Sequence, residues 1–94
     1  MQKGRQMPEE FRIYVHDYTQ EYATFVARWH FDKKEDALRH AKDLCNRLSK
    51  EKDFLRNLFR YSVTVYRFHG TDLKFRSNAI FDSHKEYPHE QVGI

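Results

Sequence analysis

Apolar and polar positions alternate over residues 11–18. Phe11, Ile13 and Val15 fall on one row, and Arg12, Tyr14 and His16 on the other. That period of two is what a half-buried strand requires. A polar turn, Asp17-Tyr18-Thr19-Gln20-Glu21, follows. Residues 22–31 predict a second strand, with Ala23, Phe25, Ala27, Trp29 and Phe31 opposed to Tyr22, Thr24, Val26, Arg28 and His30. The short connection predicts an antiparallel hairpin. Both rows of the second strand carry apolar residues, so it is expected to be central in the sheet or to face a partner on its outer side.

The period then changes. Ala37, Leu38, Ala41, Leu44, Cys45 and Leu48 recur at spacings of three, four and one, which form one stripe of an α-helix. Asp32 is placed to cap it and Glu35, three residues on, to complete a capping box. Arg39, His40, Lys42, Asp43, Asn46 and Arg47 occupy the other side. Glu35–Arg39 and Asp43–Arg47 are favourable pairs four apart. The end of the helix is open: Phe54, Leu55, Leu58 and Phe59 either continue it to about Phe59 or, after a break near 49–52, form a short second helix at 54–60.

Alternation by two returns at 61–68, where Tyr61, Val63 and Val65 oppose Ser62, Thr64, Tyr66 and Phe68. β-branched residues are dense there, as strands prefer. His69-Gly70-Thr71-Asp72 is a turn with Gly70 available for positive φ. Residues 73–81 predict a fourth strand, with Leu73 and Phe75 against Lys74 and Arg76 and a bulge or bend at Asn78. The order is ββαββ. The simplest packing is an α+β domain: a four-stranded antiparallel sheet with one amphipathic helix on one face. Two hairpins clamped separately on the helix are the alternative. Residues 1–10 and 82–94 are polar and expected to be loose, leaving 11–81 as a single domain.

Composition adds three things. At 94 residues the core is small, so eight Phe, six Tyr and one Trp exceed what it can hide. Some rings should face solvent or a partner. The net charge of +3 permits a nucleic-acid partner without requiring one. Cys45 is the single cysteine. It rules out an internal disulfide, lies on the apolar stripe and fits a reducing cytosol, so the expected location is cytoplasmic. No apolar run is long enough to span a membrane.

Candidate chemistry is thin. The six histidines, His16, His30, His40, His69, His84 and His89, show no metal-ligand spacing, and His40 reads as part of an ordinary solvated pair with Asp36. Three glycines, at 4, 70 and 93, do not make a phosphate loop. No cofactor, metal or catalytic set is expected. The strongest lead is the row of the sheet turned away from the helix. Tyr14, Tyr22, Tyr66 and Phe68 interleave there with Arg28, Lys74 and Arg76, with His16, Val26 and His30 on the same side. The expected function is non-enzymatic protein–protein interaction, with another protein as the main partner and homodimerisation through a sheet edge or face. The alternatives are RNA or single-stranded nucleic-acid binding on the aromatic and basic row, and a small enzyme without a recognisable motif.

Overall fold

The computed structural model describes residues 8–18, 23–49 and 61–86. The elements are β1 (Glu9–Asp17), β2 (Thr24–Phe31), α1 (Lys34–Ser49), β3 (Tyr61–His69), a tight turn at Thr71–Leu73, β4 (Phe75–Arg76), β5 (Phe81–Asp82) and a single helical turn, α2 (Ser83–Glu86). The architecture is α+β, an antiparallel sheet with one main helix. Its strand order is β2-β1-β3-β4, with β5 also on β3. β2 and β3 both run antiparallel to β1, so they are parallel to each other, and α1 connects them across β1.

The alternation in β1 and β3 sets the core. Phe11, Ile13 and Val15 of β1 meet Val63 and Val65 of β3, Phe81 of β5, and Ala37, Ala41 and Cys45 of α1, all buried. Small residues on the helix let it approach the sheet closely. Burial of each larger aliphatic side chain contributes about 1.5–3 kcal/mol. Leu44, next to Cys45 on the apolar stripe, is partly buried and packs at the margin of this core.

The first hydrogen bond of α1 runs from the Ala37 N–H to the Lys33 carbonyl at 3.2 Å, which puts the cap position one residue beyond Asp32. Arg39 pairs with Asp36 at 3.2 Å rather than with Glu35. His40 departs from the expected solvated side. Its ring packs against Trp29 and Phe31 at centroid distances of 5.1 and 5.4 Å. The residues expected to extend the helix, and the second helix at 54–60, lie outside the described residues.

Two irregularities separate the sheet from strict alternation. In the β1–β2 ladder Val15 pairs with Ala27 and His16 with Phe25. Val26 is the extra residue of a β-bulge, and a bulge inverts the facing of what lies beyond it. Phe25, expected on the helix side, is therefore on the outer face, and Val26, expected outside, lines a cleft on the helix side.

The second irregularity splits the expected fourth strand. β4 and β5 have two residues each, and between them only 78–79 leave β3, since the Ser77 and Ile80 N–H groups donate to the Arg67 and Val65 carbonyls at 2.9 Å. Two serines stitch this margin to β3. Ser77 Oγ accepts from the Arg67 N–H at 3.0 Å and Ser83 Oγ from the Val63 N–H at 2.9 Å, each replacing a ladder bond. Glu9 and Glu10 belong to β1, and residues 82–84 pack against β3: Asp82 Oδ1 accepts from the His84 N–H at 3.0 Å, and His84 Nε2 lies 2.8 Å from the Tyr61 carbonyl oxygen.

Candidate functional site

The outer rows of β1, β2 and β3 lie side by side because their registers align. Tyr14 is opposite Arg28 on one side and Thr64 on the other, and Arg12 is opposite His30 and Tyr66. Phe68 is opposite Glu10 in β1 and Arg76 in β4. No described element packs on this face.

Tyr14 is its centre. Four rings surround it: Tyr66 at 5.9 Å, Phe25 at 6.3 Å, Phe68 at 6.3 Å and His16 at 6.4 Å between centroids. All but the His16 pair are tilted or edge-on, the arrangement the ring quadrupole favours. Two guanidinium groups lie over rings of this cluster, Arg12 at 4.1 Å from the Phe68 centroid and Arg76 at 4.5 Å from that of Tyr66. Contacts of this kind contribute about 0.5–1 kcal/mol each at exposed sites.

Glu10 orders the basic side of the face. Its Oε1 accepts from Arg12 Nε and lies 3.0 Å from His30 Nδ1. Partial burial alone would raise the Glu10 carboxyl. Hydrogen bonds from Arg12 and His30, together with their charge, outweigh burial and hold it below the usual carboxylate range.

Of the residues singled out from the sequence, Tyr14, Arg28, Tyr66, Phe68 and Arg76 share this face. Tyr22 lies outside the described residues. Lys74 lies in the turn before β4, its backbone helical and its N–H bonded to the Thr71 carbonyl at 3.3 Å, and no contact among the described residues joins its side chain to this cluster. Sequence reasoning missed Phe25, whose placement depends on the bulge. It also left aside Glu10 and Arg12, whose role appears only when register sets them beside His30 and Phe68.

The helix side offers an apolar cleft of about 220 Å³ between α1 and the start of β2, bounded by Val26, Trp29, Leu44, Leu48 and Tyr61. Small-molecule sites usually fall in the range of about 300–1,000 Å³ and carry convergent polar groups. Cys45 is buried, and burial, followed by the nearby Glu86 carboxylate, pushes its thiol up to about 11, so at neutral pH it is protonated and unreactive. Among the described residues no group of three or more His, Cys, Asp or Glu side chains is placed to hold a metal ion, and no helix is long and apolar enough to cross a membrane. Comparison with family models, curated proteins and solved structures finds no match for this chain.

Proposed function

We propose that this chain is a non-enzymatic, cytoplasmic binding domain that holds a protein partner on its outer sheet face. An aromatic centre with arginine at its margins is the composition of an interface core and rim, where Tyr, Phe and Arg are enriched. The observation that carries the choice is the placement of the two guanidinium groups. Arg12 and Arg76 already lie on Phe68 and Tyr66. A nucleic-acid base stacking on those ring faces would have to displace them, and Arg12 is also tied to Glu10. A protein surface instead meets a preformed mosaic of rings and planar cations, with little ordering of side chains on binding.

Base stacking on Tyr14 and Phe25, with phosphates at Arg28 and Arg76, is the second reading. Photo-crosslinking in cells of the source organism separates the two. A benzophenone side chain replaces Tyr14 in one variant and Arg39, on the far side of α1, in the other. Nuclease-resistant protein adducts at position 14 alone, lost on Arg76→Glu, are the expected result. Adducts that vanish with nuclease would overturn the protein reading in favour of nucleic acid. Equal adducts at both positions would remove the face from consideration.

A further inference from the structure

The two margins of the sheet differ. On the β4 side the strands are two residues long and 78–79 loop out between them. On the other side β2 presents eight residues, Thr24–Phe31, with no described strand along its outer edge. It contains no Pro, Gly or Lys, and Arg28 is its one Arg. Proteins usually blunt such an edge with these residues or by shortening the strand. Among β1, β2 and β3, α1 packs most on β3 and least on β2. The bulge at Val26 limits the regular part to 27–31, centred on Trp29.

We infer that a second copy of this chain adds to that edge, pairing 27–31 antiparallel about a two-fold axis at Trp29. Register and charge select this axis. With Trp29 opposite its own copy, Ala27 faces the partner's Phe31 on the helix side, small against large. On the outer side Arg28 faces the partner's His30. The Arg28 side chain makes no hydrogen bond, ion pair or ring contact among the described residues. His30 lies 3.0 Å from Glu10 Oε1, and both polar contacts of that carboxylate fall on the same oxygen, so Oε2 is available to a guanidinium arriving from the partner. An axis at Arg28 would set two like charges directly opposite, which is destabilising. An axis at Ala27 would run the pairing into the bulge. The inference rests on the edge and not on what binds the outer face. Its consequence for that face is that two copies merge into one continuous surface, with both Arg28 side chains near the axis.

The register makes the test specific. Sedimentation equilibrium of the full chain should show a dimer by about 100 μM, the affinity range of small interfaces. Amide exchange within 27–31 should slow as concentration rises. Mixing Arg28→Cys with His30→Cys should give a disulfide between the two chains, because directly opposite residues bring Cβ atoms within about 4.5–5.5 Å. Arg28→Cys alone should not cross-link, and buried Cys45 should not compete. Arg28→Glu should weaken the dimer tenfold or more, while Tyr14→Ala leaves it intact. A monomer throughout the range overturns the inference. So does a dimer whose β2 amides exchange at the monomer rate, or one in which Arg28→Cys links to itself. The position-14 adducts described above are independent of all three outcomes, so loss of the edge dimer and loss of the face reading are told apart.

Discussion

Single side chains decide where the ladders of this sheet end. The Val63 N–H is buried and has no strand opposite it, because β5 stops at Asp82. Ser83 supplies the missing acceptor at 2.9 Å and is itself buried. Removing that hydroxyl leaves a buried donor unmade, which costs about 1–3 kcal/mol. Ser83→Ala should therefore lower the unfolding free energy by that amount, read as a lower urea midpoint with an unchanged slope. Ser77→Ala, at the exposed end of the same margin, should move it much less. Equal effects from the two would show that burial is not what distinguishes them. Neither serine stands out in the sequence. A hydroxyl that replaces a ladder bond has the same one-letter signature as a hydroxyl in a loop. The Val63 and Val65 row, by contrast, was plain from alternation, since burial on one face leaves a period and a hydrogen bond does not.

At the level of elements, the hairpin joining β3 to β4 carries the backbone strain. Gly70 has φ 88° and ψ −176°, a region open essentially to glycine alone, and a Cβ there would come within 2.5 Å of the Phe75 ring. Asp72 and Leu73 follow with φ of 57° and 54°. Two successive left-handed residues, closed by the Lys74 N–H to the Thr71 carbonyl, form a turn with positive φ at both central positions, where Asn and Gly are preferred. A leucine pays about 1–2 kcal/mol to sit there. Replacing Asp72-Leu73 by Asn-Gly should raise stability by roughly 1 kcal/mol, read as a higher melting temperature. A lower melting temperature would mean that the partly exposed Leu73 contributes more by packing than its backbone costs. The glycine was legible as a turn, but the strained leucine was not. Its alternation with Phe75 resembles a strand start, which predicts a strand from 73 where the structure has a turn through Leu73. The bulge in β2 misled in the same way. Residues 22–31 alternate without a break in sequence, and only the pairing with β1 reveals that Val26 is supernumerary and Phe25 inverted.

Across the whole molecule, a small core makes modest polar contacts matter, because total stability for domains of this size is only about 5–15 kcal/mol. The outer face carries one such contact where β1 and β2 meet. Glu10 holds Arg12 and His30, and its carboxyl is held below the usual value of 4.5 in the fold. A carboxylate depressed in this way stabilises the fold fully at pH above its unfolded value. That contribution is lost as pH falls through the lower, folded value. The decline should therefore begin near pH 5 and continue below 4.5. Its size should be under about 1 kcal/mol, since the side chain is partly exposed and solvent screens the pair. Glu10→Gln isolates it from the other carboxylates. The variant should be slightly less stable than the parent at neutral pH, and the two should converge in acid. The same substitution bears on the assembled form, where the Glu10 carboxylate would receive the partner's Arg28. There the loss at neutral pH should be larger at protein concentrations that favour the dimer than at high dilution. A stability difference independent of both pH and concentration would mean that Glu10 acts only through its packing, and that neither its charge nor a second copy is involved.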